Sequence, residues 1–154
     1  MTGNKRPISV LVLIHDPDLN ILLLERARRK GFWQSVTGSQ EDLEPLHETA
    51  RREVLEETGI VAAPVDLIDW RLSNRFEIFP EWRHRYPAGV GHNLEHVYSL
   101  CVPRDTTIVI ASGEHLDYLW LPWRAAADKV FSWTNRDAIL MLPQLLQDEA
   151  GLSR

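Results

Sequence analysis

The chain is poor in cysteine, in long hydrophobic stretches and in excess positive charge, and each shortage excludes a class of protein. Cys101 is the single cysteine among 154 residues, so no disulfide forms within the chain, which is typical of a reducing compartment. No apolar stretch approaches the roughly 18 residues of a membrane helix, and the polar start Met1 to Ser9 does not resemble a signal peptide. We therefore expect a cytoplasmic protein that does not enter a membrane.

The charge balance argues against a general nucleic-acid-binding protein. Lys and Arg number 17 against 22 Asp and Glu, which gives a net charge of −5, whereas neutralising phosphates along a nucleic acid needs a basic surface. A small anionic substrate held by a few local cations remains compatible with this balance. The length and an apolar content of 44% predict one domain over residues 1–154, and nothing points to a particular oligomeric state.

An acidic segment between residues 38 and 60 predicts a metal site. Glu53, Glu56 and Glu57 stand at i, i+3 and i+4, the separations at which side chains on a helix are neighbours. Three carboxylates at this spacing repel one another unless a cation lies among them. Carboxylate oxygens are hard ligands that select Mg²⁺ or Mn²⁺ over softer metals.

The signals around these glutamates predict a helix that starts near Pro45 and ends at Gly59. An alternative interpretation is a solvated acidic helix face without a ligand. Such a face usually alternates its charges, whereas here the acids cluster and Arg51 and Arg52 lie one turn before Glu56.

The same segment resembles the Nudix box at all nine fixed positions over 23 residues: Gly38, Glu44, Arg52, Glu53, Val54, Glu56, Glu57, Gly59 and Ile60. The resemblance implies an α/β fold, the Nudix α/β/α sandwich with a mixed sheet. It also implies an enzyme that hydrolyses a diphosphate bond in a nucleoside diphosphate linked to another group.

The resemblance also implies roles for single residues. Glu53, Glu56 and Glu57 correspond to the ligands of one or more divalent cations, with Mg²⁺ expected and Mn²⁺ as the alternative. Arg52 corresponds to the residue that orients them, and Glu44 to a residue that helps to shape the loop. A bound cation would neutralise phosphates and activate a water for attack on phosphorus.

Glu114 lies outside the box, at a predicted loop-to-strand junction. An acid at such a position can complete a cation's coordination or accept a proton, so the general base is either Glu114 or a helix glutamate such as Glu56 or Glu57. The alternative is a glutamate on a surface turn.

Three residues near the start of the chain are candidates for substrate binding. Arg26 follows a predicted strand within a basic cluster and could hold a phosphate as a planar fork, and Lys5 is a weaker candidate of the same kind. Thr37 directly precedes the loop glycine, where its hydroxyl or backbone could bind a phosphate or a ring edge. A solvated turn is the alternative for the basic cluster.

The segment FEIF predicts a wall for a flat heterocycle. In a strand Phe76 would face one way and Glu77 and Phe79 the other, with Glu77 accepting hydrogen bonds from ring nitrogens. The alternative is a half-buried strand without a ligand. Ser132 lies near a predicted helix break and is a further candidate for substrate binding. The charged run 83–85 has two interpretations: it attracts phosphates, or it is a solvated surface segment.

Four segments extend the resemblance along the chain: GFWQSVTGS, FEIF, RHRY and SWTNR. They resemble the branch of the Nudix family that releases pyrophosphate from dihydroneopterin triphosphate in folate synthesis, so the expected partner is a small phosphorylated molecule. Two alternatives stay open. One is the removal of oxidised or non-standard nucleoside triphosphates, and the other is a module that binds nucleotides without cleaving them.

Hydrophobic patterns complete the predicted secondary structure. Strands are expected at 7–14, 21–24, 67–72, 75–80, 95–102, 106–111 and 118–121, with a loop at 81–93. The last helix is expected at about 124–146, with a possible division into two helices near 132–136.

Overall fold

The computed structural model describes residues 3–152, which form seven strands and three α-helices. The strands are β1 Ile8–His15, β2 Asn20–Arg26, β3 Trp33–Gln34, β4 Val36–Ser39, β5 Leu67–Glu77, β6 His92–Cys101 and β7 His115–Pro122. The helices are α1 Leu46–Thr58, α2 Trp123–Lys129 and α3 Trp133–Leu152, and short 3₁₀ turns occupy Pro64–Asp66 and Pro80–Arg85.

The strands form one mixed sheet around β1. This strand runs parallel to β6 along its whole length and antiparallel to β4 over residues 9–12. β5 extends the sheet antiparallel to β6, whereas β2 pairs antiparallel with β3 and β7. The shared sheet supports the hypothesis of one domain over residues 1–154, of which residues 1, 2, 153 and 154 lie outside the described part.

Two cores lie on opposite faces of the sheet because side chains alternate along each strand. Val10 and Val12 of β1 pack with Val54 of α1, whereas Leu11 of β1 packs with Ile139 of α3. Burial on both faces explains the continuous apolar sequence of β1. The predicted α/β/α sandwich is therefore confirmed. Within residues 3–152, no helix is both long and apolar enough to cross a membrane.

α1 has the predicted extent. It follows Pro45 and ends at Gly59, whose φ of 77° places it in the left-handed region and whose amide bonds to the Leu55 carbonyl. Glycine suits this position because a side chain would be strained there.

The prediction of a strand at 106–111 is wrong. This stretch has no regular secondary structure, and the Val109 amide donates to the carbonyl of Thr58 at the end of α1 (2.8 Å) rather than to a strand. Ile108 and Ile110 still pack on the core beneath α1. Their alternation therefore reflects burial without strand pairing.

Three other boundaries differ from the sequence-based prediction. The two strands expected at 67–72 and 75–80 are the single strand β5, and the residues around Gly38 form β4 rather than a loop. The loop expected at 81–93 contains most of the 3₁₀ turn Pro80–Arg85, and its last two residues already belong to β6. The division of the last helix is confirmed, since α2 ends at Lys129 and α3 begins at Trp133.

The start of α3 is attached to the sheet by one buried amide. Asn135 Oδ1 accepts from the Ser35 amide (2.8 Å), and its Nδ2 donates to Ser35 Oγ (3.0 Å). Ser132 Oγ accepts from the Asn135 amide (3.3 Å) and so caps the helix. These bonds fix α3 against the residue directly before β4.

Replacing this amide should weaken the fold. Asn135→Ala leaves the buried Ser35 amide without its acceptor, so we expect the free energy of unfolding in urea to fall by about 1–3 kcal/mol. Arg136→Ala is the control because Arg136 is exposed and its guanidinium meets the neighbouring Asp137. The free energy of unfolding of Arg136→Ala should stay within about 0.5 kcal/mol of that of the unsubstituted protein. Equal losses in the two variants would contradict the proposed attachment.

Candidate active site

The absence of a side chain at Gly38 brings α1 and β4 together. A Cβ added to Gly38 would lie 2.0 Å from Glu53 Cδ and 2.3 Å from Glu53 Oε1. Any larger residue would therefore displace the Glu53 carboxylate. Position 38 therefore requires glycine because the Glu53 side chain occupies the space that a Cβ would need.

Arg52 is the cation around which the acidic segment is arranged. Its Nη2 donates to Glu44 Oε1 (2.6 Å) and to the Ser39 carbonyl (3.0 Å). Its Nη1 donates to Glu53 Oε1 (2.8 Å) and to Glu56 Oε2 (3.3 Å). One guanidinium therefore connects the end of β4, the loop and two of the three predicted metal ligands.

The charge of Arg52 keeps Glu44 ionised. The hydrogen bond from Arg52 lowers the pKa of the Glu44 carboxyl to about 2, and donation by the Glu41 amide and the Thr49 hydroxyl acts in the same direction. The same bond raises the pKa of Arg52. Glu44 is thus occupied in holding the loop, which fits the expected helper role.

Glu57 is a buried carboxylate with one oxygen that lacks a partner. Its exposed fraction is 2%, and its Oε2 has no hydrogen-bond partner within residues 3–152. Burial raises the pKa of Glu57 well above its ordinary value, and the nearby charge of Glu53 raises it further. A buried, unsatisfied carboxylate beside a second acid fits a divalent cation, which would offset both the desolvation and the repulsion.

In the part of the chain that the structure describes, no three acidic, His or Cys side chains already converge as a metal cluster. Arg52 contacts Glu53 and Glu56, whereas Glu57 Oε1 lies 3.3 Å from His115 Nε2. Glu53, Glu56 and Glu57 nevertheless lie on one helix at i, i+3 and i+4, the separations at which side chains are neighbours. Their role as ligands stays a prediction.

The junction before β7 contributes two residues to this region. Glu114 is exposed, its carbonyl accepts from the Ala27 amide (2.9 Å), and its charge adds to the rise in the pKa of Glu57. Its role as ligand or base also stays a prediction. His115 is buried against Glu57 and was missed by the sequence analysis, although the predicted site residue Glu114 precedes it directly. Burial, assisted by the charge of Arg26, lowers the pKa of His115 to about 4, so its imidazole is neutral at physiological pH.

Lys5, Arg26 and Arg85 form a cationic group beside the acids. Burial lowers the pKa of Lys5, and the charges of Arg85 and Arg26 lower it further, whereas Glu53 and Glu57 act in the opposite direction. The structure therefore brings together the two basic residues predicted to hold phosphate. Arg85 joins them from the charged run 83–85, for which the sequence left both interpretations open.

Arg26 is the most constrained of these cations. Its Nη1 donates to Gln34 Oε1 (3.0 Å), and its guanidinium carbon lies 4.7 Å from the centre of the Trp82 ring. Its Nε is buried and has no hydrogen-bond partner among the described residues. Like charges held this close repel one another, so an anionic phosphate group would stabilise the arrangement.

Thr37 is half-buried and lies near Glu57. Its backbone N–H opposes the rise in the pKa of the Glu57 carboxyl, and its hydroxyl accepts from Gln34 Nε2 (3.2 Å). Ser132 bonds the Thr134 hydroxyl (2.8 Å) in addition to capping α3. Both residues therefore have identified contacts within the protein, and substrate binding by either stays a prediction.

The structure does not bring Phe76, Glu77 and Phe79 together as one wall. Phe76 is half-buried, whereas its neighbour Glu77 is exposed and pairs with Arg83 Nη2 (2.7 Å). Phe79 lies beyond the end of β5, with its ring centre 5.0 Å from that of Trp82. The predicted alternation between Phe76 and Glu77 is confirmed, but it places the two residues on different sides of the strand.

Comparisons with known proteins extend these observations along the chain. A family model described as NUDIX domain matches residues 5–142. The chain is 46% identical over 138 residues to the dihydroneopterin triphosphate diphosphatase of Escherichia coli (strain K12), covering 88% of this chain and 91% of that protein. It is 40% identical over 142 residues to the Haemophilus influenzae protein of the same name, covering 90% and 89%.

A solved structure gives the same result. The structure of the E. coli dihydroneopterin triphosphate pyrophosphohydrolase matches this one with a TM-score of 0.82 and 44% sequence identity, covering 90% of this chain and 95% of that one. The similarity therefore extends far beyond the acidic segment.

Gly38→Ala should impair metal binding without unfolding the protein. The new methyl group collides with the end of a flexible Glu53 side chain, which can rotate away and so leave the predicted metal site. We expect Mn²⁺ affinity, measured by calorimetry, to fall by about 10- to 100-fold at a nearly unchanged melting temperature.

Gly89→Ala is the matched control. Gly89 has a φ of 86° and open space around its Cβ position, so alanine introduces backbone strain away from the acids. Its Mn²⁺ affinity should equal that of the unsubstituted protein. If both glycine variants bind Mn²⁺ equally well, Glu53 is not a ligand.

Proposed function

The chain belongs to the Nudix family, and from this premise we propose that it is a Mg²⁺-dependent diphosphohydrolase that releases pyrophosphate from dihydroneopterin triphosphate in folate synthesis. The complete box supports the reaction class, and the two bacterial relatives named dihydroneopterin triphosphate diphosphatase support the substrate. We further propose that the enzyme acts in the cytoplasm, in keeping with its lone cysteine.

The observation that carries the reaction class is the unsatisfied oxygen of Glu57 beside Glu53. A buried acid pair is costly by itself and is stabilised by a divalent cation. A cation held by Glu53, Glu56 and Glu57 would neutralise phosphate oxygens and activate the attacking water. Mg²⁺ is the proposed metal because all three ligands are carboxylates, and Mn²⁺ is the alternative.

The chain's own residues supply positioning and proton transfer. Arg52 orients Glu53 and Glu56, and its pairing with Glu44 keeps the loop attached to α1. Lys5 and Arg26 hold phosphate oxygens next to the acids. The water attacks phosphorus, the bond to the departing pyrophosphate breaks, and Glu57, Glu56 or Glu114 accepts the water's proton.

Two alternatives differ in how far they depend on this cation site. Hydrolysis of oxidised or non-standard nucleoside triphosphates would use the same acids and a similar pocket for a flat ring. A module that binds nucleotides without turnover would have less need for three helix carboxylates and an arginine that orients them. The complete set of box residues therefore favours an enzyme.

Glu57→Gln should abolish turnover while the fold persists. The amide has nearly the same shape but lacks the charge and one acceptor oxygen, so metal-dependent pyrophosphate release should fall by more than about 100-fold, since even loss of an outer partner of a metal costs 10- to 100-fold. Glu48→Gln is the control, because Glu48 lies exposed on the same helix and pairs with Arg51. A Glu57→Gln enzyme of near-normal rate would exclude the acidic helix as the site.

A substrate panel tests the proposed activity directly. Pyrophosphate and phosphate release should be measured with and without Mg²⁺ on dihydroneopterin triphosphate and on ordinary and oxidised nucleoside triphosphates. We expect fast, metal-dependent pyrophosphate release from the pterin compound. Broad turnover of the nucleotides would support the first alternative, and binding without turnover would support the second.

A further inference from the structure

Two buried acceptors on β6 lie outside the acidic segment and have no role in the reaction described above. Glu95 and Asn93 are 5% and 3% exposed, and between residues 3 and 152 neither Glu95 Oε1 nor Asn93 Oδ1 has a hydrogen-bond partner. Because they are two residues apart in a strand, their side chains face the same side of the sheet. Their Cα atoms are about 7 Å apart along β6. Buried acceptors are rarely left unsatisfied in a folded protein.

The protein leaves each of these side chains one oxygen without a partner. Asn93 Nδ2 donates to Ser9 Oγ (2.6 Å), so only its Oδ1 is unpaired among the described residues. Burial raises the pKa of the Glu95 carboxyl to about 7, an effect that the Thr134 hydroxyl at the start of α3 opposes. Such a pair would be satisfied by a ligand that presents neighbouring N–H groups.

Aromatic residues connect these acceptors to the cations beside the acidic helix. The Arg26 guanidinium stacks on Trp82, and the Trp82 ring centre is 6.3 Å from that of Phe131. Phe131 is followed directly by Ser132, whose hydroxyl bonds that of Thr134. The aromatic residues thus connect the proposed phosphate-binding cations to the start of α3, where the Thr134 hydroxyl is near enough to Glu95 to lower its pKa.

Phe76 adds an apolar surface at the same place. It is half-buried and stands directly opposite Asn93 in the register of β5 and β6, so both side chains lie on one face. Ser9 of β1 is the partner of Glu95 on the other side of β6. The acceptors are therefore flanked by a ring on one side and a hydroxyl on the other, which suits a flat polar heterocycle.

We propose that Glu95, assisted by Asn93, recognises the amino group and the adjacent ring N–H of the substrate's pterin, with Phe76 against the ring face. This inference rests on the proposed function and assigns its specificity. The amino group and the adjacent ring N–H are donors, and Glu95 Oε1 and Asn93 Oδ1 are acceptors. Guanine presents the same donor edge and adenine does not. Glu95 would therefore select pterin and guanine compounds over adenine compounds.

The assignment differs from the sequence-based hypothesis for Glu77. That residue is exposed and its carboxylate is neutralised by Arg83, whereas Glu95 is enclosed and has an available acceptor. A hydrogen bond discriminates between ligands most strongly where water is excluded, because a wrong ligand then leaves a buried group unsatisfied. The comparison of Glu95→Gln with Glu77→Gln therefore decides between the two positions.

The first experiment measures binding of neopterin, a fluorescent pterin without phosphates, to the metal-free protein. Glu95→Gln retains the size of the side chain, but its amide replaces one carboxyl oxygen by an N–H₂ donor, which cannot accept a hydrogen bond from the ligand. We expect the Kd for neopterin to rise by about 10- to 100-fold. Glu48→Gln should leave the Kd unchanged, and Glu77→Gln should change it by less than about twofold.

A second measurement uses the unsubstituted protein and so does not depend on the folding of a variant. The analogue of neopterin in which a carbonyl replaces the amino group should bind at least about tenfold more weakly than neopterin. In turnover, Glu95→Gln should lower kcat/KM for dihydroneopterin triphosphate through KM while kcat is largely retained. Its preference for the pterin over ATP should fall by a similar factor.

The outcomes separate this inference from the proposed function. An unchanged neopterin Kd in a folded Glu95→Gln protein, equal binding of the two pterins, or a loss confined to Glu77→Gln would each overturn the inference and leave pyrophosphate release untouched. Conversely, Glu95-dependent neopterin binding in a protein that does not hydrolyse the triphosphate would support the inference and refute the proposed function.

Discussion

The structure of the site depends on the guanidinium of Arg52. It bonds Glu44 in the loop, Glu53 and Glu56 on α1 and the carbonyl of Ser39 at the end of β4, so one positive charge offsets the mutual repulsion of several carboxylates. Glu57 lies beyond its reach and remains buried beside Glu53 with a raised pKa. The Arg52 guanidinium therefore positions the acids of this segment without neutralising all of them. The carboxylate charge that it leaves uncompensated is the reason why we expect the site to bind a divalent metal ion as well.

The central strand β1 relates the two ends of the proposed substrate site. Ser9 pairs with Ser39 of β4 on one side and with Glu95 of β6 on the other. Neighbouring strands are about 4.8 Å apart, so Ser39 beside the acidic segment and Glu95, the proposed acceptor for the ring, are separated by roughly 10 Å across the sheet. The cations Lys5 and Arg26 lie close to the acids, and the aromatic contacts of Trp82 and Phe131 continue toward Glu95. An elongated molecule with phosphates at one end and a flat ring at the other matches this arrangement.

The sequence predicted the parts of the molecule that depend on local spacing. The extent of α1, its end at Gly59 and the doubly buried strand β1 follow from periodicity and from a glycine whose conformation is needed. The prediction at 106–111 failed because Ile108 and Ile110 are buried by α1 whether or not their backbone pairs with a strand. His115 and Glu95 were missed because their burial depends on how segments distant in sequence pack together, as the contact of Glu57 with His115 illustrates. The alternation of Phe76 and Glu77 was predictable because it depends only on strand geometry. Which of the two sides of the strand faces the proposed heterocycle depends on the packing of distant segments and was not predictable.

The proposed reaction requires a divalent cation held by the carboxylates of α1. Anomalous X-ray scattering from crystals grown with Mn²⁺ would locate this metal independently of activity. We expect a peak within coordination distance of Glu53, Glu56 and Glu57. Arg52 should remain bonded to Glu44, and the Glu57 carboxylate should be turned away from His115. A strongest peak elsewhere in the protein, with none beside α1, would exclude these carboxylates as the metal ligands.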